Sequence, residues 1–332
     1  MFLQFARAAG VVSVMRALRF VFVLWLGLLG AGRADDAALR VAIGKGLGYL
    51  AKEGEQWMEV KSCNSCHHVP LLLWNYREAG ERGFAVDANK VKEWLAWAQE
   101  RVTDKNLRSE EASLMILSMP ERVVPEWAMF LMKDQKPDGS WTPAGQFSTM
   151  QKRGTPDAAA NAARLNLVAL GSCAAEVAAV RKKADLVLAK RESPTATESL
   201  VFRTLYLGRF GRPEEIAEQT KQLLSHQRGD GGWASFIGEN MSDPLATGQV
   251  LYALQSFAKD AKVTAAITRA QAWLLATQRP DGSWVSEISH ISKMDRSAPT
   301  KAKSLAAATE IYHYWGSAWA TLGLLHGLPK AE

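Results

Sequence analysis

The heptapeptides "QKPDGSW" at 135–141, "QRGDGGW" at 227–233 and "QRPDGSW" at 278–284 are three copies of one pattern, Gln-x-x-x-Gly-x-Trp. The central Asp-Gly, preceded by Pro in two copies, is turn chemistry, because Gly supplies the positive φ of a tight reversal and Pro presets the residue before it. The ends of the pattern read as anchors. The Gln amide is expected to hydrogen-bond backbone left exposed at the end of the helix before the turn, and the Trp brings a large apolar face with a single N–H donor. Such a turn should staple one helix to its neighbour.

Outward from each turn the flanks repeat as well. Upstream lie amphipathic helical patterns, "PEWAMFLMKD", "PEEIAEQTKQLLSH" and "AAITRAQAWLLAT"; downstream, after loops of varying length, come "TPDAAANAARLNLVAL", "SDPLATGQVLYAL" and "YWGSAWATLGLL", rich in small residues. Weaker copies fill the remainder, giving six helix pairs at spacings of roughly 40–50 residues, the signature of a helical repeat array. Alternating strand patterns are nearly absent, so the chain reads as all-α. Helices with charged stripes suit an outer layer and those rich in Ala and Gly suit an inner one. Six such hairpins can close into an α6/α6 toroid or stack as an open solenoid. Neither end carries a polar capping repeat, which favours closure.

The three turns, together with "DPLATGQVLYAL" and "WGSAWATLGLL", resemble the repeats of the squalene–hopene cyclase and protein prenyltransferase superfamily, most closely over residues 123–328. The resemblance implies the α/α toroid with a cavity along its axis, where Trp74, Tyr252, Trp315 and Trp319 are candidate lining residues for an apolar small molecule. It does not carry cyclase chemistry with it. The Asp-x-Asp-Asp acid that the cyclases use is missing, and so is the Asp, Cys and His zinc set of the prenyltransferases. Asp157 and Asp243 stand singly at expected inner-helix starts, where capping is the ordinary role of an acid. No catalytic residue is assigned.

The N-terminus differs in kind from the rest. Arg7, Arg16 and Arg19 precede the apolar run "FVFVLWLGLL" at 20–29, and small residues lead to Ala34 before Asp35. That order is the layout of a secretory signal, with cleavage expected after Ala34; the apolar run is shorter than the ~20 residues of a bilayer span, and an uncleaved signal would act as a tether. Residues 35–332 then form one domain, delivered to the periplasm. Loss of four arginines and no acid lowers the formal charge from +6 to +2, which gives no electrostatic reason to expect a nucleic-acid partner. Three cysteines in 332 residues are too few for a disulfide framework, and Cys173 reads as a small buried hydrophobe.

Residues 62–68 read "SCNSCHH", which contains Cys63-Asn64-Ser65-Cys66-His67. Two thiols two residues apart followed at once by an imidazole match covalent attachment of haem c: each thiol adds across one vinyl group and the His ligates iron. With three Cys and six His in the chain, chance placement of this string is an event of about 0.0005, so accident is set aside. A zinc site remains an alternative, with His68 competing against His67 for geometry, and so does a Cys63–Cys66 redox disulfide. The repeat places the motif in the first loop between outer and inner helix, at the mouth of the ring. The candidate ligands on that face for the second axial position are His313, His290, Met294, Met241 and Met150; an open position is the other outcome. His226 and His326 read as packed or solvated helix-end residues. The sequence therefore points to an exported haem c protein with a redox partner protein. The alternative is an isoprenoid- or lipid-binding, cyclase-like protein whose Cys-x-x-Cys-His is a zinc or structural element.

Overall fold

The computed structural model of the protein describes residues 35–60, 68–101, 107–122, 125–143, 155–173, 177–189, 194–257, 260–286 and 298–331. Among them are twelve α-helices and no strand. They alternate outer and inner along the chain: α1 (Asp36–Val60), α2 (Val69–Gly80), α3 (Ala88–Arg101), α4 (Ser109–Ser118), α5 (Pro125–Asp134), α6 (Thr155–Ser172), α7 (Ala178–Leu188), α8 (Thr197–Phe210), α9 (Pro213–Ser225), α10 (Pro244–Phe257), α11 (Ala261–Thr277) and α12 (Ala298–Leu325). Residues 1–34, read above as a secretory signal, lie outside the described residues. No helix among the described residues is long and apolar enough to cross a membrane.

Residue pattern decides the layer. In outer helix α3 only Val91, Trp94, Leu95 and Ala98 are buried, an i, i+3, i+4, i+7 stripe that leaves the charged face to water. In inner helix α4 all ten residues are buried, because it packs on the outer layer and on two inner neighbours. The even-numbered helices touch in sequence, α2 to α4 to α6 to α8 to α10 to α12, and α12 returns to α2. The toroid is closed.

The three turns do the stapling, with the roles of their two anchors reassigned. It is the Trp that reaches back to the helix before the turn: Trp141, Trp233 and Trp284 donate through Nε1 to the carbonyls of Leu131, Leu223 and Leu274, each at 2.8 Å. The Gln bonds its own turn and reaches the next outer helix, Gln135 to Val180 O, Gln227 to Ala266 O and Gln278 to Ala42 O, each at 2.8 Å. A turn glycine makes that approach feasible. Gly139, Gly231 and Gly282 have φ of 85°, 100° and 89°, and a Cβ at any of them would run into the backbone of the next outer helix. For the third turn the next outer helix is α1, so Gln278 and Gly282 seal the last hairpin to the first. The Trp backbone is fixed as well: Trp233 and Trp284 donate their amides to Thr247 Oγ1 and Ser317 Oγ on their own inner helices, both at 2.9 Å.

Two elements differ from expectation. The last inner helix begins at Ala298 rather than near Tyr314, because its N-terminal half, "APTKAKSLAAATEIYH", is made of good helix formers that show little amphipathic contrast. Cys173 is half-buried rather than buried, at the frayed end of α6 where its Sγ donates to Leu170 O at 3.3 Å.

Candidate functional site

The motif residues Cys63, Cys66 and His67 lie outside the described residues, as do His290, Met294 and Met150. Helix α1 ends at the exposed Val60, and the next described residue, His68, is 2% exposed. His68 is the N-cap of α2, yet its side chain makes no capping bond. Its imidazole is instead held face to face between two rings. Trp57 of α1 stacks on one side with centroids 4.0 Å apart and planes 9° from parallel; Tyr314 of α12 covers the other at 3.9 Å and 28°.

Three distant pieces of chain fix this stack. The Tyr314 hydroxyl donates to His68 O at 3.1 Å and lies 3.4 Å from Leu50 O on α1. Burial, followed by the field of neighbouring Tyr and Glu groups, pushes the phenol well above its ordinary range, so it stays a neutral donor. Gly54 faces it: a Cβ there would come within 3.2 Å of the hydroxyl and 2.9 Å of Leu72. The His68 carbonyl also receives Leu72 N at 3.0 Å, starting the helix. Thus the peptide directly after the motif is locked into the seam where first and last hairpins meet.

His313 belongs to this neighbourhood. It lies within α12 rather than ahead of it, one residue before Tyr314, and its carbonyl accepts Ser317 Oγ at 2.7 Å. Met241 is 58% exposed on the loop before α10, at the rim of a cavity of about 500 Å³. Trp273, Trp284 and Val285 form the apolar side of that cavity, and Asp243 and Glu239 its acidic side. Asp243 caps α10 as expected, accepting from Leu245 N at 2.8 Å and Ala246 N at 3.2 Å. Burial lifts its carboxyl to about 6 against these hydrogen bonds and those of Ser235 and Ser286. Asp157 lies in the first turn of α6 and also accepts the amide and hydroxyl of Thr195, at 3.0 and 2.7 Å, which ties α6 to the loop before α8.

Among the inner helices Trp74, Tyr252 and Trp319 meet edge to face, with centroids 5.5–5.9 Å apart. These candidate lining residues, from the neighbouring inner helices α2, α10 and α12, are therefore packed on one another. Trp315 is likewise core, packed on Tyr312 at 5.3 Å. At the other end of the inner helices Glu78 pairs with Arg82 at 2.5 Å, Arg77 at 2.9 Å and His326 at 3.2 Å. Burial opposes ionisation of Glu78, but the His326 hydrogen bond and the charges of His326, Arg77 and Arg82 hold it at about 2. His326 is thus a packed helix-end residue. Among the described residues no cluster of three or more His, Cys, Asp or Glu is arranged to hold a metal.

Sequence reading missed the Trp57–His68–Tyr314 stack. Trp57 shows only as one apolar residue in the last turn of α1, and Tyr314 lies 246 positions from His68, so only ring closure pairs them.

Residues 194–329, from the loop just before α8 to just past the end of α12, match the squalene-hopene cyclase C-terminal domain. No curated protein matches the chain in sequence. Among solved structures, the type II terpene cyclase MstE from Scytonema is similar over 87% of this chain and 98% of its own, with 14% identity and a TM-score of 0.56. The unsaturated glucuronyl hydrolase from Bacillus sp. GL1 is similar over 86% and 96%, with 13% identity and a TM-score of 0.57. At such identities the shared property is the fold. This chain has the all-helical toroid of the terpene cyclases, with squalene-cyclase-like repeats in its C-terminal half.

Proposed function

We propose that the protein is an exported c-type haem protein built on this terpenoid-cyclase-like toroid, acting in electron transfer or in redox chemistry at the haem. The observation that carries the reading is the string Cys63-Asn64-Ser65-Cys66-His67 running directly into a residue pinned at the closure seam. The donor set fits the group: two thiols at vinyl spacing for the thioether bonds and His67 for iron. When bound, haem supplies a one-electron iron couple. The chain's part is to tether it, orient the His67 imidazole and set its surroundings. His313, one residue from Tyr314, and Met241 are the described candidates for a second iron ligand; His290, Met294 and Met150 are the others. A filled position suits electron transfer with a redox partner protein, and an open one suits binding of a small oxidant. Export to the periplasm follows from the N-terminal signal pattern.

A second reading is an isoprenoid- or lipid-binding, cyclase-like protein with a zinc or structural Cys-x-x-Cys-His. It draws support from the family match over residues 194–329. Against cyclisation stands the missing Asp-x-Asp-Asp.

The two readings part on one measurement. Protein from a strain that matures c-type cytochromes should keep a pyridine haemochrome band through acid–acetone extraction, and Cys63→Ser with Cys66→Ser should lose it. A colourless wild-type protein whose mass shows both thiols unmodified overturns the haem reading; zinc in that protein would support the alternative.

A further inference from the structure

We infer that the cavity between the loop 234–243 and helix α11 is a binding site for a small organic cation, an ammonium group carried on an apolar or aromatic body. The inference does not depend on the haem reading and goes beyond it.

The apolar side of the cavity comes from three pieces of chain. Trp273 and Thr277 line it from α11, Trp284 and Val285 from the end of the third turn, and Met241 from the loop before α10. Trp284 donates through Nε1 to Leu274 O and through its amide to Ser317 Oγ, so what it turns to the cavity is ring surface. The rim is apolar where a surface is ordinarily polar. Only six large apolar side chains among the described residues are exposed, and two of them, Met241 at 58% and Val285 at 43%, meet here. A volume of about 500 Å³ is that of a small-molecule site.

The acidic side lacks an answering charge. Asp243 is 8% exposed and Glu239 half-buried, and among the described residues no Lys, Arg or His lines the cavity. Arg228 of the second turn braces the loop instead, donating to Glu239 O at 2.7 Å and Asn240 O at 2.6 Å. Capping occupies Asp243 Oδ1, which receives Leu245 N and Ala246 N; the other groups that favour the charged carboxyl are the hydroxyls of Ser235 and Ser286. All four are dipoles, and burial outweighs them. A cation seated in the cavity would supply the missing counter-charge, and Trp273 and Trp284 offer it ring surface of the kind that attracts ammonium groups. A neutral sugar would use the rings and leave the carboxyl uncompensated, and an anion would be repelled.

The experiment titrates the purified protein, with or without haem, by calorimetry at neutral pH. The probes are 2-phenylethylammonium, its uncharged counterpart 2-phenylethanol, and cellobiose as a neutral sugar. The ammonium compound should bind one to one and about tenfold or more tighter than the alcohol. Asp243→Asn, which keeps an acceptor for the α10 amides, should weaken the cation by about tenfold or more and leave the alcohol unchanged. Trp273→Ala should weaken both by about threefold to tenfold. If Asp243→Asn does not fold by circular dichroism, Glu239→Gln decides in its place, with an expected loss of about threefold for the cation alone. Equal affinity for cation and alcohol, cation binding unchanged in the folded acid variant, no cation binding at millimolar concentration, or tighter binding of cellobiose overturns the inference, and none of these outcomes bears on the haem reading.

Discussion

Two buried carboxyls of this toroid respond to their surroundings in opposite directions. Asp243 caps α10 from a site without a cation among the groups that act on it, and burial lifts it from 3.8 to about 6. The folded protein then binds a proton more tightly than the unfolded chain. The resulting contribution to stability is greatest below the unfolded value and disappears as pH rises through about 6. Two units correspond to roughly 3 kcal/mol. Asp243→Asn, which keeps an acceptor for the cap, should remove that component, so its stability relative to wild type rises between pH 4 and pH 7 in denaturant titrations. Glu78 is the reverse case. Its depressed value means stability present above 4.5 and lost as pH falls toward about 2. Glu78→Gln leaves Arg82 buried beside an uncharged amide and should cost about 3 kcal/mol at neutral pH.

At the scale of the element, the Gln-x-x-x-Gly-x-Trp turn combines a Trp pointed back, a Gln pointed forward and a glycine that permits contact between hairpins. Gly231→Ala tests the glycine alone. It puts a β-carbon at φ 100° and within 2.6 Å of the Arg269 carbonyl oxygen, so both the turn and the adjoining helix must shift. A loss of about 2–4 kcal/mol is expected in chemical denaturation. The sequence showed the turn and both anchor residues. It did not show which neighbour each anchor reaches, because a Gln at a helix end has carbonyls on two sides and only packing selects one. The helix limits were legible where amphipathic contrast was high, as in α3, and misjudged in α12, where Ala- and Lys-rich turns look the same as loop to a periodicity argument.

Closure of the ring is a property of the whole molecule and can be measured as one. Gln278→Ala removes hydrogen bonds to Ala42 O and Gly282 O, at 2.8 and 3.1 Å; Gln135→Ala removes the equivalent pair inside the array. In a closed toroid both should cost a similar amount, about 1–3 kcal/mol. In an open solenoid the seam variant would be nearly silent, so a midpoint for Gln278→Ala that equals wild type would contradict closure. The inner layer makes a second prediction at this scale. Trp74→Ala removes one member of a three-ring cluster contributed by three inner helices, and should lower stability by about 3–5 kcal/mol. A smaller loss in a thermal melt would mean that Tyr252 and Trp319 collapse into the gap.

The sequence by itself determined the repeat, the all-helical class and the residues whose chemistry suggests haem, because turn chemistry, helical periodicity and a five-residue motif are all local. The tertiary structure decided what surrounds that motif. His68 reads in the chain as a spare histidine, and it becomes the gripped centre of a stack only when α12 closes on α1 and brings Tyr314 across 246 positions. No local pattern encodes that contact, since stacking depends on where two helix faces meet after the ring has formed.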